Sequence, residues 1–360
     1  MTFGEIMTYI MLFFAVIGCI DKAFGSKLKI GDWFEKALMT SGTLILAMVG
    51  PIALAPLLSS VLSPIITPVC TAVGIDPSVT AGLLLPVDSG GWSLATELTQ
   101  DTVVGKFSGA VIGGMMGATI TGSLPVCFML CPKEKIPCMA KGLSIGFISV
   151  PIGCLIGGLC LGLNLFTILI NMLPLVLISA LLVVGLTFFE RITIKLVSGF
   201  GYCITALVTL ALGVTMVFKV FKIETEMLES FDNCLTIIGG IVIFLCGAFV
   251  LLDIVQRLFK KPFEKLGKKI GLDEFSIIGI LTMAVNVIPV FTIVKKLSDR
   301  GLIICMAFMV CGAFVVGDHL AFQTTVDTTV ALPMVLGKLG GGIFAAVIAY
   351  IITRPSQETN

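Results

Sequence analysis

Residues 77–98 read PSVTAGLLLPVDSGGWSLATEL, and residues 275–294 read FSIIGILTMAVNVIPVFTIV. Each is long enough to cross a hydrocarbon core as helix, yet each is interrupted midway, by Pro86-Val87-Asp88-Ser89-Gly90-Gly91 in the first and Asn286-Val287-Ile288-Pro289 in the second. Whether these stretches span, or dip in and return, decides the topology of everything around them. Nine unbroken apolar stretches accompany them: Phe3 to Ile20, Ala37 to Leu62, Lys106 to Leu130, Ala140 to Leu161, Leu165 to Phe189, Gly199 to Phe221, Cys234 to Val255, Gly301 to Phe322 and Thr329 to Ile352. A chain of 360 residues with 57% hydrophobic and 12% charged residues and a mean hydropathy of +1.11 cannot present a wettable surface in water. The expected fold is therefore an all-α polytopic membrane protein. Glu5 stands where a leader would carry Lys or Arg, and no small-residue cleavage site follows, so the first stretch is expected to remain as a span.

Charge position resolves the two broken segments. Apart from Lys338, 22 of the 23 basic residues lie in loops. If both broken segments cross, 11 fall on each side; if both are re-entrant, 19 gather on one side, as the positive-inside tendency requires. The re-entrant arrangement places the N-terminus outside and the C-terminus in the cytoplasm. It leaves only Lys106, Lys219 and Lys222 on the outer side, together with the acidic loop Glu224 to Glu229.

Sliding the chain by 197 residues aligns positions 3–84 with 200–281 without a gap, with 14 identities that include Lys22, Gly50, Asp76 and Gly82. With re-entrant segments the first span and its mate run in opposite directions, so the repeats are inverted. The chain divides into residues 1–190, a first membrane repeat with a connecting helix, and 191–360, its inverted partner. The shift carries Asp88 onto Val285, next to Asn286, so the two polar breaks coincide. A shift of 195 aligns GATITGSLPVCF (117–128) with GAFVVGDHLAFQ (312–323), setting Thr119, Thr121 and Ser123 beside Gly317, Asp318 and His319. Inverted repeats bring broken segments together near the midplane, where binding sites form.

The candidate site residues follow from the cost of polar groups in lipid. Asp88, with Ser89 beside it, defaults to function; the alternative is a carboxylate that only caps a half-helix. Trp92, four residues on, is either an interfacial anchor or an aromatic partner for a cation. Asp318 and His319, the only histidine, lie in the stretch 301–322 either as structural polar contacts or facing the pathway. Lys338 is expected to neutralise Asp318 or Asp327, and Gln323 to sit at the mouth of its span. Asn286 and Phe291 flank the second break. Glycines at four-residue spacing, such as Gly153 with Gly157 and Gly337 with Gly341, read as close helix packing; they are also compatible with a homo-oligomer. A net charge of +1 offers no field for nucleic acid. The 12 Cys contain no CxxC, and no phosphate-binding, dinucleotide or metalloprotease motif is present, so neither cofactor, metal nor catalysis is expected.

In combination, LLLPVDSGGWSLATEL (83–98), NVIPVF (286–291), GDHLAF (317–322), GKLGGG (337–342), MTYIMLFFAVIGCIDK (7–22) and LAMVGPIALAPLL (46–58) resemble the ethanolamine utilisation transporter family over nearly the whole chain. The sequence departs from the family's pattern at Val287, where a second Asn is expected, and at Ser89, where a larger apolar residue is common. The resemblance implies uptake of ethanolamine through a bacterial cytoplasmic membrane. Ethanolamine carries an ammonium at neutral pH and one hydroxyl. Asp88 or Asp318 would hold the ammonium, Trp92 or Phe291 would offer an aromatic face, and Asn286, Ser89 or Thr121 would bond the hydroxyl. A carrier, a channel-like facilitator and a structural membrane subunit are the competing readings. Basic residues between Arg257 and Lys269 face anionic lipid in all three.

Overall fold

The computed structural model describes residues 1–353; Arg354 and the side chains of Lys260 and Lys268 lie outside the described residues. The chain is all-helical. In order, the helices are α1 (Phe3–Ala23), α2 (Gly31–Met39), α3 (Ser41–Ala72), α4 (Val79–Leu84), α5 (Trp92–Leu98), α6 (Thr102–Lys106), α7 (Leu124–Leu130), α8 (Ile136–Cys160) and α9 (Leu165–Phe188). They continue as α10 (Glu190–Phe221), α11 (Phe231–Ile270), α12 (Glu274–Val285), α13 (Ile288–Thr292), α14 (Asp299–Gly312), α15 (Asp318–Val326) and α16 (Ala331–Ile352). A wide π-helix, Phe107–Ser123, joins α6 to α7 in one continuous rod. Among the described residues, eight helical stretches are long and apolar enough to cross a membrane. All twelve cysteines are free thiols.

The expected ninth span, Gly301 to Phe322, is not one rod. α14 stops at Gly312, and Ala313 to Gly317 form a turn, with Phe314 at φ 58° and the Gly317 amide donating to the Phe314 carbonyl at 3.1 Å. The Phe314 and Val316 amides donate to the Met283 and Ala284 carbonyls of α12 at 2.9 and 2.8 Å. Backbone groups freed by the break are therefore satisfied within the protein, the condition for irregular backbone at membrane depth. Asp318 is consequently the first residue of a helix and not the middle of a span.

Both broken segments are hairpins whose ends meet. Asp76, before α4, accepts from the Ser78, Gln100 and Asp101 amides, so the segment returns to where it entered. Asp273, before α12, accepts from the Ser276 amide and from the Ser276 and Ser298 hydroxyls at 2.9, 2.6 and 2.5 Å. Burial opposes ionisation of Asp273, but these hydrogen bonds outweigh it and hold the carboxyl below its ordinary value. The two aspartates stand 197 residues apart. Replacing either with alanine is expected to loosen its own hairpin base by about 1–3 kcal/mol, the cost of orphaning groups bonded to a charged acceptor. Faster hydrogen exchange at Gln100 in one variant and Ser298 in the other measures this.

Packing follows the same register. Gly50 of α3 lies against the Val208 carbonyl of α10, and Gly247 of α11 lies against the Met11 carbonyl of α1, both closer than any Cβ allows. Each contact is the other displaced by 197. Gly153 and Gly337 face one another's carbonyls across α8 and α16. The spaced glycines thus serve close packing within the chain. Basic loops collect at one end: Arg257 bonds the Leu28 carbonyl at 2.8 Å, Lys135 pairs with Asp299 at 2.7 Å, and Arg300 bonds the Gly271 carbonyl at 3.0 Å. The first hairpin enters from the opposite end, the second from this basic end.

Candidate functional site

The hairpin tips meet at the middle of the bundle because their sequences cannot continue as helix there. Pro86 is extended, Gly90 adopts φ 92°, and the Gly91 amide closes the turn on the Pro86 carbonyl at 2.8 Å. Gly90 rests against Pro51 of α3, where any Cβ would collide. In the second hairpin the Asn286 side-chain oxygen accepts from the Ile288 amide at 2.9 Å and starts α13, leaving its Nδ2 for other partners. Gly317, immediately before Asp318, packs on the Val285 carbonyl so closely that only glycine fits.

Between the tips lies a cavity of about 340 Å³. Pro86, Asp88 and Ser89 form one wall and Asn286, Val287 and Ile288 another. Asp318 and His319 of α15, Ser123 beside α7, Thr43 and Met48 of α3 and Phe249 of α11 complete it. Ser89 donates its hydroxyl to Asp88 Oδ1 at 3.2 Å. The Asp318 carboxylate has no hydrogen-bond partner among the described residues, and it interacts electrostatically with Asp88. Ala47 also lines the cavity, and Pro51 one turn later has no N–H to give its carbonyl. Two carboxylates line a space where a water would occupy about 30 Å³. That arrangement suits a small cation with several hydrogen atoms to donate.

Of the eight residues expected at the site, Asp88, Ser89, Asn286, Asp318 and His319 line this cavity. The other three lie elsewhere. Trp92 lines a separate recess of about 430 Å³ with Glu97, Glu229 and Asn233, toward the opposite end. Thr121 donates its hydroxyl to the Gly117 carbonyl at 2.9 Å, the ordinary way a helix absorbs a threonine in lipid. Phe291 is core, 2% exposed. Thr121→Val should therefore leave the apparent KM for transport unchanged, which an uptake titration checks.

Two expectations about polar side chains are corrected. Lys338 pairs with neither Asp318 nor Asp327: it is fully buried, donates to the Gly114 carbonyl of the π-helix, and has no ion pair within 4 Å among the described residues. Asp327 pairs instead with Lys106 at 2.8 Å, because both sit at the same end of the bundle. Gln323 is not at a mouth but fully enclosed, with neither amide atom hydrogen-bonded, one helical turn from His319, whose Nδ1 is also unpaired. Among residues not singled out as ligands, Ser123 had a signal, since the shift of 195 sets it on Asp318. Thr43 and Met48 had none, being ordinary residues of an apolar helix.

The cavity adjoins a recess at the basic end. It shares Thr40, Phe249, Asn286 and Ile288 with a recess of about 520 Å³ that runs past Trp33, Lys36 and Asp253 toward the basic end. It shares no lining residue with the Trp92 recess.

A family profile described as "EutH: Ethanolamine utilisation protein, EutH" matches residues 3–352. The chain belongs to this family. Among its EutH relatives, a "Probable ethanolamine permease EutH" of Listeria monocytogenes is 39% identical, the alignment covering 100% of this chain and 97% of the relative. Bacillus subtilis "Uncharacterized protein YxeR" is 37% identical over 99% and 97%, and the Escherichia coli "Probable ethanolamine permease EutH" is 34% identical over 100% and 98%. No solved structure matches the chain. The resemblance read from the sequence motifs is borne out at the level of the EutH family.

Proposed function

We propose that this EutH-family protein carries ethanolamine into the cell across the bacterial cytoplasmic membrane, binding it in the cavity between the hairpin tips. The observation that carries this reading is the pair of carboxylates, Asp88 and Asp318, lining a cavity of small-molecule size between the hairpin tips. An ammonium is too costly to cross hydrocarbon unaided and needs such compensation. Ser123, Ser89 and the Asn286 amide are within the same walls for the hydroxyl. The relatives named as permeases support the substrate.

A carrier is favoured over a channel because the cavity connects to one recess and is separated from the other, so access is to one side at a time. With the basic loops in the cytoplasm, the N-terminus outside and the C-terminus inside, this conformation faces inward. Residues 1–190 and 191–360 act as inverted repeats, with α3 and α11 each packed on the other half. Exchange of the two halves' roles opens the Trp92 recess to the site.

The test is uptake of labelled ethanolamine into proteoliposomes. Saturable uptake with counterflow, in which unlabelled ethanolamine inside accelerates entry of label, is expected. Flux without saturation or counterflow marks a channel, and no protein-dependent flux removes the substrate.

A further inference from the structure

The cavity between the hairpin tips and the Trp92 recess are walled by the same elements. α3 gives Met48 to the cavity and Ile52 to the recess, the first hairpin gives Asp88 and Trp92, and α15 gives His319 and Val326. The step from His319 to Val326 along α15 is about 10 Å, which sets the thickness of the plug between the two spaces. Val49 and Phe322, inside these intervals, belong to one buried apolar cluster. Gln323 breaks that pattern. It stands four residues after His319 and three before Val326, on the same face of the helix. It is fully buried, and neither its amide oxygen nor its amide nitrogen has a hydrogen-bond partner among the described residues.

Packing alone gives no reason for a polar side chain there. Enclosing an amide with none of its hydrogen bonds made costs free energy that Leu or Met, of similar volume, would not. Nor does Gln323 tie neighbouring elements together, since it bonds none. We propose that Gln323 is a specificity-determining residue of the translocation path, the amide that takes the substrate's hydroxyl as the plug between the two spaces opens. The inference rests on the ethanolamine reading above and adds the residue that reads the hydroxyl in transit. A hydroxyl drawn through an otherwise apolar plug loses its water without compensation. The amide supplies that compensation, because its Oε1 accepts from a hydroxyl and its Nε2 donates to one. Being uncharged, it does not hold the ammonium as a further carboxylate would. The unpaired amide burdens the closed plug, and passage of an amino alcohol relieves it, so the barrier falls for that substrate class and not for a plain alkylamine.

The experiment compares the wild-type chain with Gln323→Leu in proteoliposomes, with protein-free liposomes subtracted to remove diffusion of neutral amine. Uptake is measured for labelled ethanolamine and for labelled n-propylamine, in which a methyl group replaces the hydroxyl. The expected result is a fall of about three- to tenfold in the ratio of maximal rates, ethanolamine over propylamine, the range that one uncharged hydrogen bond contributes. Binding of ethanolamine to the purified protein should stay unchanged, because Gln323 does not line the cavity, and the thermal unfolding midpoint should not fall. Gln323→Met, which keeps the unbranched shape, carries the same expectation where leucine disturbs the packing. An equal loss of uptake for both amines in both variants marks a packing role and overturns the proposal. Wild-type rates with an unchanged ratio overturn it as well, leaving the amide to an enclosed water. Absence of saturable ethanolamine uptake by the wild-type chain removes the substrate reading, and this proposal with it.

Discussion

Asp88→Asn abolishes ethanolamine uptake while the protein still inserts and remains monodisperse in detergent. The amide keeps the shape of the side chain and its contact with the Ser89 hydroxyl, 3.2 Å away, but removes the charge that faces the ammonium. Truncating one partner of a buried charge pair costs about 2–5 kcal/mol, so the apparent affinity should fall by about thirtyfold or more. Asp318→Asn should fall by a comparable factor, since Asp318 lines the same cavity with no other partner. Binding of labelled ethanolamine to purified protein separates lost affinity from lost reorientation. An Asp88→Asn variant with wild-type uptake would remove this carboxylate from the site.

Gly247→Val and Gly50→Val are expected to prevent assembly, and to equal degrees. At each position the added side chain would overlap a main-chain carbonyl, Met11 for Gly247 and Val208 for Gly50, and helix backbones cannot give way as a flexible side chain would. Overpacking typically costs about 1–3 kcal/mol and more where backbone must move. The two contacts are the places where α11 grips α1 and α3 grips α10. Loss of the monodisperse peak in both variants is the expected result. Tolerance of one substitution alone would show that the two contacts are not mechanically equivalent.

The broken segments were legible because hydrocarbon is an unforgiving solvent: a polar run such as Asp88-Ser89-Gly90-Gly91 in an apolar stretch has few explanations. The hairpin bases were foreshadowed too, since Asp76 and Asp273 were among the repeat identities. The break at Ala313 to Gly317 was hidden. Its residues, AFVVG, are as apolar as any span, and what interrupts the helix is the pair of α12 carbonyls that accept Phe314 and Val316. Lys338 was visible as an intramembrane charge but not its partner, because a carbonyl of a π-helix carries no sequence signature.

Hydropathy, charge asymmetry and the 197-residue register were sufficient for the class of fold, the re-entrant character of two segments and five of the residues around the cavity, because each depends on one-dimensional quantities: run length, sign and spacing. Which way each side chain turns is a three-dimensional matter. Trp92, Thr121 and Phe291 are as near to the breaks in the chain as the residues that line the cavity, and only the packing of α3, α11 and α15 around the tips separated them from Asp88, Asn286 and Asp318.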